Sequence, residues 1–153
     1  MTFLLVFLIG VLSGLRSLTP VAATAWATHL GWLKVARAFA WIGTAPAVAI
    51  FTLLALVELV TDKLPNTPSR TAPPGLIARI VMGGLAGACV ATAGLQNPAT
   101  GIVIGIVGAL VGGFGGYQVR KRLVKALGTP DYVVAVLEDL VTIGGSLWVV
   151  SRF

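Results

Sequence analysis

Five carboxylates are the residues of this 153-residue chain best suited to chemistry: Glu58, Asp62, Asp131, Glu138 and Asp139. Glu58 and Asp62 stand four apart in an apolar stretch, so on a helix they share one face. Glu138 and Asp139 are flanked by Val and Leu about two turns into another apolar run. An acidic side chain in hydrocarbon costs about 2.5 kcal/mol or more at the centre of a helix. Such a group faces a cation, water or a substrate, or it is protonated. Acids paired in this way suit a proton or a small cation.

The arginines are their natural counterparts. Arg16 lies in Gly14-Leu15-Arg16-Ser17-Leu18-Thr19-Pro20, a break between apolar segments. Its planar guanidinium can grip a carboxylate or another anion through two parallel hydrogen bonds. The unpaired amides at the start of the following helix would help hold an anion. Arg79 falls one turn into an apolar helix, where it needs an acid or a lipid phosphate. A structural account competes with these: Asp62 sits at the interface beside Lys63, Glu58 or Asp139 pairs with Arg16 or Arg79 as glue between helices, and Arg16 snorkels to the headgroups. No Ser-His-Asp set, metal-ligand cluster or cofactor motif accompanies these residues. Gly112-Gly113-Phe114-Gly115-Gly116 lacks the strand and the lysine-serine ending of a phosphate loop. The expectation is a protein that is not an enzyme and carries no cofactor.

Composition says what must position these groups. Hydrophobic residues make up 57% of the chain and charged residues 10%, with a mean hydropathy of +0.96. Soluble domains carry roughly 25% charged residues, so most of this surface must face lipid. The net charge of +6 would suggest nucleic acid in a soluble protein. Here the cations cluster between apolar segments, where they set orientation and meet anionic headgroups, and no nucleic-acid partner is expected. The single cysteine, Cys89, excludes an internal disulfide.

The sequence predicts an all-α, polytopic membrane bundle of six helical segments in one domain spanning 1–153. The first runs over about 2–15 and reads as an uncleaved membrane helix, since no basic residue precedes it. The second starts at Pro20 behind Thr19, a helix-start signal, but carries His29, Lys34 and Arg37. It either crosses over 20–42 or stops near Leu30 and continues at the interface, where Trp26, Trp32 and Trp41 belong. The third runs over about 46–64. Four prolines between Pro65 and Pro74 then exclude a helix. The fourth covers about 75–93, the fifth about 99–119, and the sixth opens at Gly128-Thr129-Pro130 and ends near Val150.

If all six cross, one side collects Arg16, Lys63, Arg70, Arg79, Arg120, Lys121, Arg122 and Lys125, against Lys34, Arg37 and Arg152 on the other. The positive-inside rule then puts the first side in the cytoplasm. If the second segment does not cross, the count falls to five and the termini separate.

The halves 1–72 and 73–153 resemble each other in order. Gly14-Leu15 corresponds to Gly94-Leu95, Gly43-Thr44-Ala45-Pro46 to Gly128-Thr129-Pro130, and Glu58-Leu59-Val60-Thr61 to Asp139-Leu140-Val141-Thr142, at offsets of 80, 84 to 85, and 81 residues. Three helices per half is an odd number, so the halves would be inverted copies, with a site where they meet. Glu58 and Asp139 would then be equivalent and could converge. Glycines at 101, 105, 108, 112 and 116, with Gly83, Gly87, Gly10 and Gly14, predict close helix packing.

Gly14-Leu15-Arg16-Ser17-Leu18-Thr19-Pro20, Asp62-Lys63-Leu64-Pro65 with Pro68-Ser69-Arg70-Thr71, and Glu138-Asp139 resemble motifs of a family of small bacterial integral membrane proteins, the domain of unknown function 4126 family. That resemblance covers most of the chain. It implies a multi-pass protein of the bacterial inner membrane and brings no activity or site. The stretch Glu-x-x-x-Asp-Lys is also weakly similar to three-plus-three cation exchangers, although the second half has Ile143-Gly144 in place of the Asp-Lys ending.

Two functions are therefore expected. In the first, the chain is a transporter or channel for an ion or small solute. Glu58, Asp62, Glu138 and Asp139 bind or relay the ion, and Arg16 or Arg79 balances charge. In the second, it is a non-transporting module that binds lipid headgroups or a partner protein through Arg70, Arg120, Lys121 and Arg122. So thin a bundle is expected to form a homodimer.

Overall fold

The computed structural model describes residues 1–64 and 72–153, and these contain only helices and their connections. Residues 65–71, with Pro65, Pro68 and Arg70, lie outside the described residues, whereas Pro73 and Pro74, expected outside any helix, open α4, where a missing N–H needs no partner. The helices are α1 (Thr2–Leu15), α2 (Thr19–His29), α3 (Ala45–Thr61), α4 (Pro73–Ala93), α5 (Pro98–Leu127) and α6 (Asp131–Val150), with a 3-10 segment at Arg37–Gly43 between α2 and α3.

Local sequence explains most of the boundaries. α1 ends where Arg16 turns to an extended backbone, φ −138° and ψ 117°. α2 restarts with Pro20 in its first turn, where the missing N–H needs no partner. Asn97 caps α5 by accepting from the Ala99 amide at 2.8 Å. α5 stops at Gly128, which takes the left-handed conformation at φ +60°. It therefore extends beyond the expected end at residue 119, because Arg120, Lys121, Arg122 and Lys125 are good helix formers and nothing breaks the chain before Gly128. At 1.5 Å per residue its 30 residues span about 45 Å, against a hydrocarbon core of about 30 Å. The basic run occupies the excess length.

Among the described residues α4, α5 and α6 are each long and apolar enough to cross a membrane, and the 3-10 segment with α3 makes a fourth span if the pair, bent by 63°, counts as one. α1 is apolar but only 14 residues long. α2, with 11 residues, reaches about 16 Å and is too short to cross as a single helix. The chain then turns back through Gly31 at φ +79°. The 3-10 segment is tied to the end of α2 by His29 Nδ1 at 2.8 Å from the Gly43 carbonyl. Trp26, Trp32 and Trp41 are all exposed in this region.

α1, α4 and α5 form the tightest part of the bundle. Gly10 and Gly105 meet backbone to backbone, and Gly87 lies against Gly101. α1 and α5 run in the same direction, since Gly10 packs at Gly105 and Gly14 at Ala109 and Gly113. α4 runs opposite to both. A Cβ on Gly105 would overlap the Gly83 carbonyl oxygen and stand 3.1 Å from the Gly87 Cα, whereas one on Gly144 would meet nothing within 4 Å. Overpacking of this kind costs typically 1–3 kcal/mol. Gly105→Ala is accordingly expected to lower the unfolding midpoint in detergent, and Gly144→Ala to leave it unchanged. Equal midpoints would mean that α4 and α5 can separate without loss.

Candidate functional site

The side chain of Arg16 is fully buried, although it stands at the break between two apolar helices. What makes this tolerable is the set of carboxylates brought to it. Arg16 Nε donates to Asp139 Oδ1 at 2.6 Å, Nη1 pairs with Asp62 Oδ2, and Glu138 Oε1 lies 3.8 Å from Nη1. Lys63 Nζ reaches the second oxygen of Asp139. Arg120 Nη1 donates to Asp62 at 3.0 Å, and its Nε and Nη2 grip Asp131 at 2.9 and 2.6 Å. Three cations and four carboxylates from the α1–α2 break, the end of α3, the lower part of α5 and the first half of α6 thus form one network.

Exposure falls along this network. The Lys63 side chain is 30% exposed and that of Asp62 15%, while Asp139 is at 10% and Arg16 at 0%. The network touches the exterior at the end of α3 and is most deeply buried at Arg16. Asp62 lies just beyond that end. Burial pushes its pKa up, but the Arg16 and Arg120 guanidiniums outweigh burial and hold it below the usual carboxylate range.

Glu58 takes a different role. Its Oε1 accepts from the Ser17 amide at 2.8 Å and the Ser17 hydroxyl at 2.7 Å, and its Oε2 from the Leu18 amide at 2.8 Å. The amides at the start of α2 do hold an anion, and that anion is a carboxylate of the same chain. It completes the N-terminus of α2, whose backbone donors have no helical partner. Glu58 and Asp139 therefore approach the same short stretch, Arg16 to Leu18, one on its amides and the other on its guanidinium.

Arg79 is 5% exposed. A Cβ on Gly113 would stand 3.7 Å from both Arg79 Cδ and the Gly14 carbonyl, so the arginine stem passes close to the end of α1. Lys121, Arg122 and Lys125 are exposed on the overhang of α5. Arg120, grouped with them in the sequence, turns inward to Asp62 and Asp131 instead. Beside the network, between α5 and α6, lies a cavity of about 190 Å³ whose wall is apolar except for Arg120 and Glu138; Leu15, Val119, Leu137 and Val141 supply much of the rest. Among the described residues no three His, Cys, Asp or Glu side chains are placed to hold a metal ion.

Sequence reasoning identified the acids and Arg16 but did not assign Lys63 or Ser17 to the site. Lys63 carries a signal that could have found it: it follows Asp62 directly, at the point where α3 runs out of apolar residues. Ser17 was legible only as part of the break.

Breaking a buried ion pair from one side leaves uncompensated charge and costs about 3–5 kcal/mol, whereas an exposed pair contributes about 0–1 kcal/mol. Arg16→Gln is expected to destabilise the folded protein by the larger amount and Asp131→Asn, at a side chain 62% exposed, by the smaller. Denaturation of the two variants in the same detergent compares them, and similar losses would remove Arg16 from the centre of the network.

A protein-family model, described as domain of unknown function (DUF4126), matches residues 3–151. No curated protein and no solved structure matches the chain. The chain belongs to the domain of unknown function 4126 family.

Proposed function

We propose that this member of the domain of unknown function 4126 family is a multi-pass protein of the bacterial inner membrane that passes an ion or a small solute, with the Arg16 network as its closed gate on the cytoplasmic side. The observation that carries this reading is the wholly buried guanidinium of Arg16, held by Asp62 and Asp139 at the break between two short helices. Ionisable groups in a membrane interior mark pathways and relays, and broken helices whose ends meet near charged groups build many transporter sites. The network joins α1–α2, α3, α5 and α6 through side chains alone. Exchange of its ion pairs would let these elements part without unfolding any of them.

On this reading the acids are gate and relay groups rather than an open cage for a cation, because Asp62 and Asp139 are already neutralised by Arg16, Lys63 and Arg120. The chain performs no covalent chemistry, and two copies form the working unit. An inverted relation between the halves would put Glu58 and Asp139 in matching roles, each closing on the α1–α2 break from its own helix.

Proteoliposomes containing the protein are expected to dissipate an imposed gradient of H⁺, Na⁺, K⁺ or Cl⁻ faster than protein-free vesicles, and Asp139→Asn to change that rate at least tenfold while the protein still elutes as a single species. No flux for any of these ions, or flux indifferent to Asp139, would remove the proposed gate.

A second reading has its own observation. Lys121, Arg122 and Lys125 are exposed on the part of α5 that exceeds the membrane thickness, and they make no ion pair among the described residues. Juxtamembrane cations attract anionic headgroups at about 1 kcal/mol each. If the protein is a lipid-binding module, Lys121→Gln with Arg122→Gln should strip co-purifying anionic phospholipid, read by native mass spectrometry. Unchanged lipid retention would count against it.

A further inference from the structure

The inner face of α6 above the network is polar where a packed membrane helix is usually apolar. Glu138, Thr142 and Ser146 recur every fourth residue on one face, and all three are buried, at 9%, 0% and 0% exposure. At 1.5 Å per residue they cover about 12 Å along the helix axis. Val149 and Val150, both buried, close the face beyond Ser146.

Two helical hydroxyls in this region lack the partner that such a hydroxyl ordinarily finds. A hydroxyl in a helix ordinarily satisfies itself on the carbonyl four residues back. Thr24, Thr28, Thr52, Thr61 and Thr142 all do so, at 2.7–2.9 Å. Ser146 Oγ does not, and neither does Ser13 Oγ. Both are fully buried and have no hydrogen-bond partner among the described residues. Thr19 Oγ1, at the start of α2, and the Arg16 Nη2 donor are in the same condition.

These groups belong to three helices that pack on one another, α1, α2 and α6. Two contacts fix their heights. Arg16 meets Asp139, and Leu12 packs at Gly145, where a Cβ would stand 3.0 Å from its side chain. Ser13 lies between those two levels, as do Thr142 and the approach to Ser146. Buried polar groups without protein partners are characteristically satisfied by internal water, which needs two or more such partners to stay.

We infer that the Glu138–Thr142–Ser146 face of α6, with Ser13 of α1 at the same height, is the wall of a hydrated half-channel that begins at the Arg16 network and ends below Val149 and Val150. Its occupant is a short file of water, and an ion small enough to share that file can enter behind the gate. The inference does not rest on transport: the face can be wet whether or not a solute crosses.

Thiol accessibility tests it directly. In a Cys89→Ala background, Ser146→Cys and its exposed neighbour Leu147→Cys are treated in proteoliposomes with silver ion, which reacts from water and is small enough for a single file. The thiols remaining are counted by mass after denaturation and alkylation. Ser146→Cys is expected to react at least tenfold faster than Leu147→Cys, although it is the buried one of the pair. Equal or slower reaction would overturn the half-channel. Thr142→Cys, nearer the network, gives the same comparison if Ser146→Cys does not yield a single species on elution.

Discussion

A guanidinium that cannot lose its proton is buried at the point where α1 stops and α2 begins, and the neighbouring elements are arranged around that fact. Transfer of such a charge out of water is opposed by several kcal/mol even after relaxation, so Arg16 has to be met by carboxylates before the bundle can close. Asp62 comes from the end of α3 and Asp139 from within α6. Each is shared with a second cation, Arg120 for Asp62 and Lys63 for Asp139. The sharing spreads charge over four elements and fixes the relative heights of helices whose apolar faces alone would let them slide.

Glu58 shows the same economy with a different partner. The break that exposes Arg16 also exposes the first amides of α2, and a helix N-terminus inside an apolar bundle needs an anion or hydrogen-bond acceptor. Glu58 supplies it from α3, one turn before Asp62. One face of α3 thus serves both consequences of the break: Glu58 takes the amides and Asp62 takes the guanidinium. This arrangement explains how α2 can be as short as 11 residues and still be held in place.

The glycine-rich contacts make room for this polar centre. α1, α4 and α5 approach until their backbones touch at Gly10, Gly87 and Gly105. That contact lets a 14-residue α1 end deep in the bundle beside two longer helices. α5 and α6 are packed less closely, and the cavity between them reaches Arg120 and Glu138. Packing is closest where glycines meet and more open beside Arg120 and Glu138.

The sequence by itself determined that the chain is helical and apolar enough for a membrane, that one helix begins at Pro20, that others follow Pro74 and Pro98, that the chain turns at Gly94 and at Gly128-Thr129-Pro130, and that Arg16 and the acids must find partners. These properties follow from local chemistry: proline and glycine act on their own turn, and a charge in an apolar run is costly whatever surrounds it. The pair Arg16–Asp139 was among those the sequence offered and the structure forms it, but the sequence did not choose among the candidates, because the two residues are 123 apart and pairing across that distance depends on how whole helices stack. Tertiary structure decided that Arg120 leaves the basic run for Asp62 and Asp131, that Lys63 joins Asp139, and that Glu58 meets amides rather than a cation. It also decided that α2 is too short to cross as a single helix. The sequence placed the start of α2 at Pro20 but left open whether the segment crosses, and the structure ends it at His29.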